Sequence, residues 1–285
     1  MLKQRVITAL VLLLILLPAL FHPDTRYWRV VTLGLIAAAS WEWGRLNGLG
    51  QFGAWIGAFV CLVACVMAWD LGLLAAPRPL LWTVAGGLWV LVGAALLKAG
   101  VARWGTLPRG LRLPGGLAAL WLSWLAVVQV RDIGIAFLLS VLALVWMADI
   151  AAYFAGKAFG GRFSRGKLAP AISPGKSWEG VWGGMAGVVL LALVWLVLER
   201  GGVLPPPSLY GHLLAHGGWG LLLLAILFLA AMSVVGDLVE SLVKRSAGMK
   251  DSSRLLPGHG GVLDRVDALL PVMPAALALM TLRAT

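Results

Sequence analysis

Ten charged side chains crowd into the 32 positions from 236 to 267: Asp237, Glu240, Lys244, Arg245, Lys250, Asp251, Arg254, Asp264, Arg265 and Asp267. Acids and bases are equal in number, whereas a plain basic loop beside a membrane needs no acids. Asp237, Glu240, Ser241 and Lys244 recur at i, i+3, i+4 and i+7, one polar stripe on an otherwise apolar helix. Asp264 and Asp267 are three apart and share a face at the head of the last apolar run. Between them runs Pro257-Gly258-His259-Gly260-Gly261, a glycine-rich turn whose amides can approach phosphate closely. Carboxylates on helix ends beside such a turn suit a hard cation, Mg²⁺ above all, completed by phosphate oxygens and water. The plain alternative is a set of salt bridges, Asp237 or Glu240 with Lys244 and Asp264 with Arg254.

A second cluster lies at 149–180. Asp149 and Tyr153 are one helical turn apart inside an apolar run, so Asp149 must face the bundle rather than lipid. Ser173-Pro174-Gly175-Lys176-Ser177 then precedes a helix start, where amides, hydroxyls and an ammonium can hold phosphate. Ser177 also suits a helix N-cap, with Glu179 in the first turn. Gly175-Lys176-Ser177 matches the end of a Walker A loop, but Pro170 stands where its first glycine belongs, and that reading is rejected.

The elements that position these residues must sit in lipid. Of 285 residues 61% are hydrophobic and only 12% charged, about half the charged share of a soluble domain. We expect an all-α, polytopic transmembrane bundle of about nine spans, at about 6–21, 28–46, 52–75, 80–97, 113–130, 133–155, 178–198, 217–236 and 268–283. The last is short, and the helix around 217–245 can be continuous. The first run is read as a retained span and not a cleaved signal. With the N-terminus in the cytosol, all of the 23 basic residues except Arg26, Arg29, Arg78, Arg131, Arg200 and Arg283 fall on the cytosolic side. The net charge of +11 is therefore assigned to topology and anionic headgroups, not to nucleic acid. Cys61 and Cys65 are two small residues of one span, too few for a metal site. Residues 1–148 are read as an N-terminal bundle and 149–285 as the catalytic region, the two being separable or one continuous domain.

Ser241-Leu-Val-Lys244-Arg245, then Lys250-Asp251, then Pro257-Gly-His259-Gly260-Gly261-Val-Leu-Asp264-Arg265-Val-Asp267 resembles the signature of the phosphatidate cytidylyltransferases, unbroken over 27 residues. Ser173–Gly180 resembles the serine-proline-lysine loop of that family, and Asp149–Gly160 its Asp-x-x-Ala-Tyr-x-x-Gly-Lys segment. Ile150, Ala151 and Ala268 depart from the family's usual types, so two hydroxyls are missing there. The resemblance implies transfer of a cytidylyl group from CTP to phosphatidic acid, giving CDP-diacylglycerol and pyrophosphate. It implies one or two divalent ions on Asp237, Asp264 and Asp267, with a monovalent cation as a further option. Lys244, Arg245, Lys250 and Arg265 would meet phosphates, and His259 would donate to the leaving pyrophosphate. Ser173, Lys176, Ser177, Asp149, Tyr153, Gly260 and Gly261 would line the substrate site. A bacterial inner membrane with a cytosolic site follows from the same reading, and a homodimer is left open. The rivals are a CTP-dependent lipid-alcohol kinase of the polyprenol or phytol type and, from another class, an ion-coupled transporter. The full signature argues against the first, and charges gathered at one end without an internal repeat argue against the second.

Overall fold

A computed structural model describes residues 2–281 apart from 76 and 165, so Arg165 and Arg283 of the charge count lie outside the described residues. The chain folds as helices α1 (Leu2–Phe21), α2 (Arg26–Leu46), α3 (Gln51–Asp70), α4 (Pro79–Thr106), α5 (Arg109–Ile133) and α6 (Ile135–Phe159). A hairpin of β1 (Lys167–Ala169) and β2 (Ser173–Ser177) follows, then α7 (Trp178–Arg200), α8 (Leu209–Ser246), the single turn α9 (Leu263–Val266) and α10 (Leu269–Met280). The all-α membrane bundle is thus present, with one small departure: Ser173–Ser177 is a strand paired antiparallel to Lys167–Ala169, not a simple loop. Strands of 3 and 5 residues are too short to leave a periodic pattern in a sequence.

Among the described residues, seven helices are long and apolar enough to cross a membrane: α1, α3, α4, α5, α6, α7 and α8. Two of the nine expected spans are different in kind. The 21-residue α2 is long enough but carries Arg26, Arg29, Glu42 and Arg45. The 12-residue α10 is about 18 Å long, short of the roughly 30 Å hydrocarbon core. The run 217–245 is continuous only beyond Gly218, whose positive φ of 64° breaks the helical backbone, so that α8 is two helices meeting at a kink. α4 bends in the same way at Gly100.

Helix ends follow their sequence. Ser177 and Ser208 cap α7 and α8, their hydroxyls accepting from the amides of Gly180 and Gly211. α6 and α7 form the most extensive helix pair, because small residues let their backbones meet. A Cβ on Gly183 would lie 2.1 Å from Cβ of Ala155, and one on Gly184 2.8 Å from the carbonyl oxygen of Ala148. Short, apolar α10 is the central post of the bundle, packed against α4, α5, α6 and α8. Together with the contact of α2 on α9, this carries the packing across the boundary between residues 148 and 149.

Candidate active site

The polar ends of α6, α7 and α8, the hairpin and the 247–268 segment gather at one end of the bundle. A cleft of about 380 Å³ lies there, lined by Asp149, Tyr153, Lys157, Lys176, Ser177 and Asp237 among others. Its apolar lining includes Ala152, Leu168, Val181 and Val234. Asp149 faces this cleft, as an intramembrane acid should.

Two ion pairs organise the polar side. The ammonium of Lys176, carried in by the hairpin, pairs with Asp237 on α8. The Ser241 hydroxyl donates to the other oxygen of Asp237 at 3.2 Å, the i, i+4 contact of the polar stripe. One helical turn further, Lys244 sits between Glu240 and Asp264, with Nζ 2.6 Å from Oδ1 of Asp264. The expected pairing of Glu240 with Lys244 is present, whereas Asp264 takes Lys244 rather than Arg254, which is exposed.

Asp264 also fastens the loop before it. Oδ2 accepts from the amide of Gly261 at 2.7 Å, the amide of Ser252 at 3.0 Å and the Ser252 hydroxyl at 3.0 Å. Burial alone would raise its carboxyl, but hydrogen bonds with Glu240, Lys244 and Gly261 hold it at about 2. Asp267 shows the opposite balance. Burial first, and then the negative charge of Asp237, pushes its carboxyl up to about 7, with Asp149 adding to the rise.

The remaining expected residues are more scattered. Ser173 pairs with Ala169 in the hairpin and is absent from the cleft wall. The Nε of Arg245 donates to the carbonyl of Ile172 at 3.4 Å, joining the end of α8 to the hairpin turn. Lys250 and Arg265 are exposed. Gly260 has a φ of 84°, and its carbonyl accepts from the Leu256 amide at 2.9 Å, which closes the glycine-rich turn. The His259 amide donates to Leu256 at 2.8 Å, and its buried Nδ1 has no partner among the described residues.

Two further residues contribute beyond those given a role from the sequence. Lys157 lines the cleft one turn beyond Tyr153. Glu42, wholly buried on α2, accepts from the amides of Val262 and Leu263 at 3.0 and 2.7 Å. It also accepts from the hydroxyls of Ser252 and Ser253 at 3.1 and 2.5 Å. The signal was available: an acid inside a run read as a span requires a partner.

Among the described residues, no three His, Cys, Asp or Glu side chains gather closely enough to hold an ion unaided. The donor set nevertheless fits a divalent cation. The carboxyl of Asp267 is raised by Asp237 and Asp149, an excess of negative charge that a cation relieves. Mg²⁺ itself asks for only one or two carboxylates beside phosphate oxygens and water.

Comparison with known proteins shows the family of the chain. Residues 3–283 match the cytidylyltransferase family. The chain is 42% identical to the phosphatidate cytidylyltransferase of Pseudomonas aeruginosa, over 98% of this chain and 97% of that protein. It is 35% identical to the one from Haemophilus influenzae, over 96% of each chain. The one from Brucella suis is 38% identical, over 99% of this chain and 92% of that protein. With a family match that spans nearly the whole chain and relatives this similar over almost their full length, the chain, whose cleft holds the Lys176–Asp237 pair, belongs to the cytidylyltransferase family.

Proposed function

We propose that this nucleotidyltransferase moves the cytidylyl group of CTP onto phosphatidic acid, giving CDP-diacylglycerol and pyrophosphate in phospholipid synthesis. The observation that carries the reading is the pairing of Lys176 with Asp237 beside Lys244 with Asp264. Two ammonium groups and several carboxylates converge where two polyanions must meet. A phosphate oxygen of phosphatidate, already ionised, attacks the α-phosphorus of CTP. The bond from that phosphorus to the bridging oxygen breaks, and pyrophosphate leaves with the electron pair. No proton needs to be removed first, so the barrier is repulsion between anions and the alignment of attack.

Lys176 and Ser177 meet phosphate from the hairpin side, with Lys157 beyond them. Lys244 meets it from α8, while Arg245, Lys250 and Arg265 supply positive field around the mouth. Asp237 and Asp267 are the proposed holders of Mg²⁺, as one or two ions. Asp264, now occupied by Lys244, Ser252 and Gly261, joins them when Lys244 turns to a phosphate. Bound there, the ion neutralises phosphate charge and orients the α-phosphorus. His259 is part of the glycine-rich turn, and its Nδ1 has no partner among the described residues, which supports its role as donor to pyrophosphate. Ser173 helps by holding the hairpin in register.

The positive-inside bias supports a cytosolic N-terminus and site, on the side where CTP is found, and a bacterial inner membrane. One incubation tests the function. The purified chain is given CTP labelled at the α-phosphate, with phosphatidate or a polyprenol as acceptor and with or without Mg²⁺. Label in a CDP-lipid, with phosphatidate and Mg²⁺ only, is the expected result. Label in CDP and an unlabelled phospholipid from the polyprenol would instead make it a kinase.

A further inference from the structure

We infer that Glu42 is a positioning residue for the transfer reaction, acting through the glycine-rich turn. Each of its oxygens takes one backbone amide and one hydroxyl. Oε1 accepts from Val262 N and the Ser253 hydroxyl, and Oε2 accepts from Leu263 N and the Ser252 hydroxyl. The side chain is wholly buried and touches neither the cleft nor Lys244. Its influence passes through Ser252, whose hydroxyl lies 3.1 Å from Glu42 and 3.0 Å from Asp264, and whose amide donates to Asp264. Asp264 in turn holds Lys244. A side chain of α2 therefore sets the place of a pair more than 200 positions away. Close packing leaves this arrangement one geometry, since a Cβ on Gly261 would lie 2.1 Å from Oγ of Ser252 and 2.3 Å from Oε1 of Glu42. The same turn is held from α1, where the Thr8 hydroxyl donates to the Pro257 carbonyl at 2.9 Å. The first two helices are thus part of the catalytic apparatus.

The chemistry makes Glu42→Gln a sharp test. Whichever way the amide is turned, its NH₂ faces one of the two backbone amides, and a backbone N–H cannot reverse as a hydroxyl can. The turn must then shift to escape a donor–donor contact. The expected result is a fall of about 10- to 100-fold in kcat, the usual scale for losing a group that orients the residues around an ion. The Mg²⁺ concentration for half-maximal rate should rise, while KM for phosphatidate stays at the wild-type value. Leu125→Ala, a truncation in the core of α5, serves as the control for stability alone. It should lower the unfolding temperature without moving the Mg²⁺ midpoint of the folded fraction.

Glu42→Gln that behaves like Leu125→Ala, losing rate only with its folded fraction, would overturn the inference. Should Glu42→Gln fail to fold, Ser253→Ala strips one donor from the same carboxylate. A smaller fall in kcat with the same shift in Mg²⁺ midpoint is then expected, and an unchanged kcat overturns the inference. The inference rests on the transferase reading, yet the two fail separately. Absence of CDP-lipid from the wild-type chain refutes the reading, whereas a wild-type rate in Glu42→Gln refutes only the role of Glu42.

Discussion

Replacing Asp264 by Asn isolates what its charge does. The Asn oxygen can still accept from the Gly261 and Ser252 amides, 2.7 and 3.0 Å from Oδ2. Its NH₂ must then face the ammonium of Lys244, where the carboxylate had stood 2.6 Å away. The lost bond is charge-assisted and mostly buried, with side-chain exposures of 13% and 5%. Such a bond contributes about 1.5–3 kcal/mol. The titration of Asp264 gives a second measure. A carboxyl held at about 2 rather than its ordinary 3.8 stabilises the fold by about 2 kcal/mol, at about 1.4 kcal/mol per pH unit. Because the folded value is depressed, this stability is complete above 3.8 and is lost as pH falls through about 2. Unfolding of wild type and variant in the same detergent should therefore differ by about 2–3 kcal/mol, constant from pH ~5 to ~8 and narrowing only in strong acid. Turnover to CDP-lipid should fall in parallel. A variant as stable and active as wild type refutes the reasoning. A variant of wild-type stability with no turnover would also refute the fastening role, leaving Asp264 to the ion alone.

Lys176→Met removes the ammonium paired with Asp237 and should lower the rate by about 100-fold or more, the scale of losing one preorganised charge donor. With Asp237 left uncompensated, Mg²⁺ should raise the unfolding temperature of this variant more than that of wild type. Gly236→Ala would set a Cβ 2.4 Å from the carbonyl oxygen of Asp267 and 2.9 Å from Pro271, forcing α8 from α10. A cost of about 1–3 kcal/mol and a marked loss of turnover are expected. Gly86→Ala, whose Cβ meets α10 at an ordinary 3.7 Å, should leave both unchanged.

Much of the site was legible in the residues themselves. Acids are rare in lipid, so Asp149 and Asp237 stand out wherever they occur, and both line the cleft. The i, i+4 contacts Asp237–Ser241 and Glu240–Lys244 follow directly from helical spacing. Partners that meet across a loop were not legible. Asp264 lies 20 positions from Lys244, and nothing local prefers that lysine to Arg254. The hairpin was hidden because strands so short show no alternation. The membrane spans follow from composition, which does not tell a lipid-facing helix from one packed inside the bundle: only the fold shows that the 12 apolar residues of α10 form a buried post. Glu42 was obscured for a related reason, since hydropathy averages over a window and one acid in α2 disappears into it.

The cleft is lined by two unlike sets of residues, Asp149, Lys176, Ser177 and Asp237 beside Ala152, Leu168, Val181 and Val234. Tyr153, which also lines it, is 63% exposed at a helix surface that lipid would cover. A site built this way counts its two substrates in different currencies: CTP per volume of water, phosphatidate per area of bilayer. Its rate then reports the lipid's mole fraction in the membrane, however much membrane there is. Growth that dilutes phosphatidate among finished phospholipids slows the reaction without any change in the enzyme.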